Sequence, residues 1–346
     1  MNRPTLIPGL PRVWRGPTEL QLGSGPTRAV LLDLPHARVA GVLDLLDGTR
    51  SERLIMLEAA ERGIPPDEAR ALLETLHAAG LAVPAAWLVP AGLPAPARDR
   101  LLGEAAALAV AHPATPPARL LRRRAAARVV ISGRGRLGAG IAVALAEAGV
   151  GQIQPDLPGQ VVRGELAGGP LRASDVGRPR REAVLAAVAG LAPGIESTRR
   201  GAAALVVQLD HDEPVGLIAA AHAQRRQPHL AVAIREGAAV IGPLVPATGA
   251  PCLICLELHR KERDAGWPGP PRPDPPEPCA VSTLLAATAF ATAEVLTFLD
   301  GGTPSTLGGS AQIAAPGRVR RRTWPPHPSC DCVRRPRPAP KAAAPP

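Results

Sequence analysis

The chain has 346 residues, 46% of them hydrophobic, enough to build a sizeable core and too many for a disordered polymer. With no Tyr, two Phe and four Trp, that core has to be packed by Ala, Leu and Val. The net charge of +10 is concentrated in residues 317–346, where eight basic side chains face Asp331 alone, and a single Trp there gives too little aromatic interleaving for a nucleic-acid surface.

The first eighty residues carry three short β-like runs, Leu10–Arg15, Glu19–Leu22 and Arg28–Asp33, separated by Gly-Pro turn chemistry. Three helical patterns follow: Ala37–Leu46, a second opening at the N-cap candidate Ser51 and ending near Gly63, and Pro66–Ala79. The third begins Pro66-Asp67-Glu68, which suits the positive end of a helix. Such a unit over 1–83 is expected to be a small winged-helix-like α+β module. A DNA-reading helix should be basic, yet 66–80 sets Asp67, Glu68 and Glu74 against Arg70, so nucleic acid is not the expected ligand.

Residues 84–126 read as a connector, with proline-rich ends around a helix through Arg98–Ala109. From Ala127–Ser132 onward strands and helices alternate: helix Leu137–Ala148, strand Gln152–Gln154, helix Arg180–Leu191, strand Ala203–Leu209, helix Val215–Arg225 and strand Leu230–Arg235. That alternation predicts an α/β domain with a Rossmann-like, doubly wound sheet over 127–333. The apolar run Cys279–Leu299 contains Glu294 and several Thr and is expected to be a buried helix, with no membrane partner. Residues 334–346 form a basic, proline-rich tail expected to be disordered. The N-terminus lacks the apolar core of a signal peptide, so a cytoplasmic location is expected.

Two constellations carry chemistry. The first is Gly133-Arg134-Gly135-Arg136-Leu137-Gly138, set between a strand and a helix, where glycines permit a tight turn, close approach of a phosphate, and helix–strand contact. Asp156, near the end of the next strand, stands where a ribose-binding carboxylate belongs. Arg134 and Arg136 are bulky beside the phosphate path, and Pro155 interrupts the strand that presents Asp156. A turn kept for folding without nucleotide is therefore an equal reading.

The second is Cys252-Leu253-Ile254-Cys255 together with Cys330-Asp331-Cys332. Thiolates at these spacings can converge on one tetrahedral, closed, structural zinc ion. Cys279 opens the long apolar helix and is expected to be a small buried hydrophobe. His211-Asp212-Glu213, His229 and His259 form no recognisable catalytic set.

Taken in order, the glycine loop, Asp156, the run Asp175–Arg180, the strand-end Asp210, and Gly242-Pro243-Leu244 leading to Cys252-x-x-Cys255 with a late cysteine pair resemble the ThiF-type, ubiquitin-activating-enzyme-like family. More narrowly, Gly242–Asp264 and the N-terminal unit resemble cyclodehydratase partner proteins of thiazole/oxazole-modified peptide (bacteriocin) biosynthesis. The resemblance implies that the N-terminal module binds the leader of a precursor peptide and that the second domain presents it to a YcaO-type ATP-dependent enzyme. It implies an extended leader beside Arg28–Asp33, with Leu32, Leu73 and Leu76 forming pockets and Arg28 and Arg70 meeting acidic residues. A homodimer is expected by the same analogy.

Active members of the family place a Lys in the Val-Gly-x-x-Lys pattern, where this chain has Arg180; the only lysines are Lys261 and Lys341. Arg180 and Asp210 remain candidates for triphosphate and Mg²⁺. The expectation is a catalytically degenerate binding subunit. The alternative is an ATP-dependent adenylyltransferase acting on a peptide or ubiquitin-like carrier C-terminus.

Overall fold

The computed structural model describes residues 3–25, 29–195, 201–249, 251–267, 269, 277–315 and 317–332, and the chain divides into two compact units, Met1–Arg122 and Arg123–Pro346.

In the first unit the strands are β1 (Pro4–Leu6), β2 (Arg12–Trp14), β3 (Glu19–Leu22) and β4 (Val30–Asp33). A 3-10 segment (Ala37–Leu45), α1 (Glu52–Glu61), α2 (Pro66–Ala78) and β5 (Ala82–Pro84) follow. Strands β2, β3 and β4 form an antiparallel sheet, and β1 pairs with β5. Ser51 caps α1 as its position suggests, its hydroxyl accepting the Leu54 N–H at 3.3 Å. Period-two alternation turns Leu20, Leu22 and Leu32 inward against Val39, Val42, Leu43, Ile55, Leu72, Leu73 and Leu76. A second apolar cluster joins Ile7 and Val83 to Leu88 of α3 (Ala85–Leu88), Leu101 and Leu108 of α4 (Ala95–Ala111), and Leu120 and Leu121 of α5 (Pro117–Ala126). The stretch after residue 84 is thus mostly helical and has a core of its own.

The second unit is built on a seven-stranded mixed sheet. Its elements are β6 (Arg128–Ser132), α6 (Leu137–Glu147), β7 (Gln152–Asp156), α7 (Arg180–Leu191), β8 (Leu205–Gln208), α8 (Val215–Gln224), β9 (His229–Arg235), β10 (Ala238–Val245), α9 (Leu253–Arg263), α10 (Val281–Asp300), β11 (Gly309–Ala315) and β12 (Arg318–Thr323). The strand order is β12-β11-β10-β9-β8-β6-β7. Strands β7, β6, β8 and β9 run parallel; β9 to β12 form an antiparallel meander. The alternating half therefore matches expectation, while β10, β11 and β12 extend it beyond what the sequence reading foresaw.

Two boundaries differ instructively. Pro155 does not end its strand: β7 is the edge of the sheet, where a residue without an N–H sacrifices no ladder bond. Residues 318–323, in the basic stretch that begins at 317 and for which no strand was expected, form the opposite edge strand; residues 334–346 lie outside the described residues.

Helices α6, α7 and α10 share one core with the sheet, and α10 contributes Leu284, Ala287, Ala291, Val295 and Leu299. Although α10 is long and apolar enough to cross a membrane, it is a core helix. Its Glu294 is buried and satisfied, accepting from the backbone N–H and hydroxyl groups of both Ser305 and Thr306 at 2.5–3.1 Å. Arg124, 2% exposed, donates to the Asp300 carboxylate at 2.9 and 2.6 Å and ties the start of the unit to the end of α10.

Candidate functional site

The order of the parallel strands reverses at β6, whose neighbours are β7 and β8, so a crevice opens beyond the carboxyl ends of β6 and β8. The glycine loop follows β6 and residues 209–213 follow β8. Gly133 has φ +114°, and a Cβ on it would lie 2.4 Å from the Asp210 carbonyl oxygen. The Arg134 N–H donates to that carbonyl at 2.6 Å, and the Arg134 guanidinium pairs with Asp212 at 2.6 Å. Gly138 is required for a different reason: a Cβ there would meet Leu209 at 2.8 Å. The loop is thus drawn onto the turn after β8.

Gly135, with φ +125°, faces a carboxylate of the same chain. Glu277 is buried, its oxygens 3.0 and 3.3 Å from where a Gly135 Cβ would stand, and it accepts the Arg136 N–H at 3.0 Å just ahead of α6. Arg136 reinforces the contact, its guanidinium donating to the carbonyls of Glu277 (3.2 Å), Cys279 (3.0 Å) and Ala167 (3.1 Å). The positive end of α6, where a phosphate would lie, therefore holds an internal anion. Burial pushes the Glu277 carboxyl above its ordinary value, and Asp210 adds to the rise against the opposing pull of Arg136.

The other nucleotide candidates are engaged too. Asp210 is buried and held by a bidentate guanidinium, Arg235, with Nη1 at 2.5 Å. Arg180 donates to Glu165 at 2.8–3.2 Å, to the Gln160 carbonyl at 2.7 Å and to the Pro158 carbonyl, clamping the loop after β7. Asp156 is exposed and accepts the Ser132 hydroxyl at 3.1 Å. The loop, Asp210 and Arg180 are each satisfied by a partner of opposite charge or polarity within the chain, so MgATP would have to displace these contacts.

Beside this closed loop lies an open cavity of about 1080 Å³. Asp210, Arg235 and Glu277 form one wall; Glu257, Arg260 and Lys261 of α9, Trp267, Gln312 and Arg322 form others. Strand alternation sends Leu230, Val232 and Ile234 into the core and leaves Ala231 and Ala233 on the cavity's side. Trp267 is pinned by donating to Glu257 at 2.9 Å beneath the Arg260 guanidinium. Glu277 and Arg235 escaped the sequence reading, one in the proline-rich stretch before Cys279 and the other as a strand-end residue without a role.

The four cysteines converge as their spacing suggests. Cys252 and Cys255 flank the start of α9, and Cys330 and Cys332 follow β12. Sulfur separations are 3.6 Å (Cys252–Cys330), 3.3 Å (Cys255–Cys332) and 4.0 Å (Cys252–Cys255), and all four lie within 4.8 Å of one another. Zn–S bonds of about 2.3 Å in a tetrahedron place sulfurs about 3.8 Å apart, so the set fits one ion. The His327 N–H donates to Cys255 Sγ at 3.3 Å, an outer bond suited to a thiolate. Burial pushes the Cys252 thiol up to about 11. His327 also pairs with Glu262 at 2.8 Å, bracing α9 against the second knuckle.

Cys279 is half-buried, its Sγ 3.6 Å from the Ala280 carbonyl, and burial raises its pKa. His211 bonds the Glu213 carbonyl at 2.6 Å, and His222 stacks on His229 at 4.2 Å.

In the first unit the predicted peptide residues separate. Leu32, Leu73 and Leu76 are 3%, 3% and 0% exposed and belong to the core. Arg70 is exposed, and Arg28 lies outside the described residues. Strand β4 is an edge of its sheet, and the outward residues are Leu31, 50% exposed, and across the sheet Val13, 46% exposed.

No protein-family model matches the sequence, and no curated protein matches it. Solved structures do. E. coli MccB with ATP superposes with a TM-score of 0.60 at 16% identity, covering 95% of this chain and 99% of that one. The Microcin C7 biosynthetic enzyme MccB in complex with N-formylated MccA gives a TM-score of 0.61 at 16% identity over the same shares. PaaA gives 0.56 at 14% identity, covering 73% of this chain and 91% of that one. The α/β fold is therefore that of MccB over nearly the whole chain.

Proposed function

We propose that this chain is a peptide-binding subunit of ThiF type, non-catalytic or weakly catalytic, acting in modified-peptide biosynthesis. The observation that carries the reading is Glu277 in the glycine loop. Three sites that would receive a nucleotide triphosphate are each satisfied internally: the loop by Glu277, Asp210 by Arg235, and Arg180 by Glu165. A protein keeping this architecture with its nucleotide contacts closed is suited to binding and presentation.

The peptide partner is supported by one use of this fold. The Microcin C7 biosynthetic enzyme MccB is known in complex with N-formylated MccA. In this chain the winged-helix-like module over 1–83 would take a leader at the open edge of β4, beside Leu31 and Arg70. The substrate-modifying chemistry would then belong to a separate YcaO-type enzyme in the cytoplasm, with this chain as a homodimeric partner. The four-cysteine zinc site is structural in this reading, since all four positions are taken by protein ligands.

A second reading, an adenylyltransferase for a peptide C-terminus, is favoured by the MccB complex with ATP and by the large cavity beside Asp210. Calorimetry with MgATP on zinc-loaded protein separates the two. No binding at millimolar nucleotide is expected. Micromolar binding, with Mg²⁺-dependent pyrophosphate exchange lost in Asp210→Ala, would replace the first reading by the second.

A further inference from the structure

Strand β12 is an outer strand of the sheet, so one row of its main-chain N–H and C=O groups has no ladder partner among the described residues. All six of its residues are exposed, and four are Arg318, Arg320, Arg321 and Arg322. None of these arginines makes an ion pair among the described residues. Period-two alternation puts Arg318, Arg320 and Arg322 on one face. The register sets Arg320 opposite Gln312 and Arg322 opposite Ser310, and Gln312 and Arg322 line the cavity. Arg322 is steadied at that rim by the Trp324 ring, 5.9 Å away, which Arg263 also covers at 5.3 Å.

We propose that the outer edge of β12 takes an extended, acidic segment of a partner polypeptide as an eighth strand, with carboxylates at alternate positions meeting Arg318, Arg320 and Arg322. Charge decides the occupant. A second copy paired through this edge would set arginine against arginine, and directly opposed like charges destabilise a strand pair. The chain's own residues 333–346 are basic and rich in proline, so they repel the edge and lack the N–H groups a ladder needs. Arginines often guard an edge against pairing; here the same charges admit a strand of opposite sign. A nucleic acid would satisfy the charges and leave the main-chain row unused. The inference is independent of the leader-binding role given to the first unit.

The test titrates full-length, zinc-loaded protein into a fluorescein-labelled octapeptide of alternating Thr and Glu at low salt, read by anisotropy. Saturable binding is expected, weakened about tenfold or more in R320E/R322E and less in R320Q/R322Q, with zinc content and melting unchanged. N-methylation of alternate probe residues should weaken it by a similar factor, because the ladder donors are lost. The proposal is overturned by absence of saturable binding, by undiminished binding to R320E/R322E, by equal binding of the N-methylated or a Thr–Lys probe, or by tighter Arg320-dependent binding of an oligothymidine.

Discussion

The Arg136 main-chain N–H donates to the Glu277 carboxylate at 3.0 Å, and that carboxylate stands 3.0 Å from where a Gly135 side chain would begin. A loop shaped for an external phosphate is thus matched to an anion 141 residues along its own chain. Any phosphate entering there has to displace Glu277, and the apparent affinity falls by the fraction of time the loop is vacant.

Glu277→Ala should therefore raise the affinity for tripolyphosphate by about tenfold or more, measured by calorimetry. Unchanged binding with intact zinc content would show that the Arg134–Asp210 bridge alone closes the loop.

Displacement also has a pH signature. Burial raises the Glu277 pKa, so the closed state holds a proton more tightly than the solvated carboxyl does. Between the ordinary and raised values, phosphate binding releases that proton, and apparent affinity should climb with pH after correction for the ligand's own titration. The climb should be absent in Glu277→Gln.

Purified protein should contain about one equivalent of zinc by elemental analysis. Cys330→Ser or a strong chelator should remove most of it and lower the melting temperature of the second unit, whereas Cys279→Ser should leave the metal content unchanged.

Leu31 and Leu32 are adjacent in β4 and point to opposite sides of its sheet. Leu32→Ala should cost about 2–5 kcal/mol in urea unfolding, as expected for a buried leucine. Leu31→Ala should stay within about 0.5 kcal/mol. Similar costs at both positions would mean the outward face of β4 is covered.

The stacked pair His222–His229 should make the second unit acid-sensitive. Burial, then its neighbour, lowers the His222 pKa to about 4, and burial lowers that of His229. The unfolded chain therefore binds more protons below about pH 6.5. The stability due to neutral histidines is fully present above that pH and is lost as pH falls toward about 4. His222→Gln should flatten part of that slope in pH-dependent melting.

Much of this was legible where short-range chemistry decides. Helix α7 runs from Arg180 to Leu191 as read, because Pro179 fixes its start. The four cysteines converge because their pairs are tight and their type is unambiguous. Phase and long range were not legible. Leu32, Leu73 and Leu76 read as pocket residues and are core, since an apolar residue does not announce which face of its element is covered. β12 gave no alternating pattern because all its residues are exposed and its ladder alone holds it. The pairing of Asp210 with Arg235 spans 25 residues and depends on two neighbouring parallel strands, which no local pattern encodes.

The sulfur cluster joins residues 78 positions apart, with α10, β11 and β12 lying between the two knuckles. A nascent chain that has exposed Cys252 and Cys255 owns only half of a metal site, and stays so until Cys332 has left the ribosome. Any ion that the four thiols take is consequently captured late in synthesis. A chain interrupted anywhere in that span carries an unsealed dithiol, open to oxidation and to recognition by quality-control machinery, however well residues 3–122 have already folded.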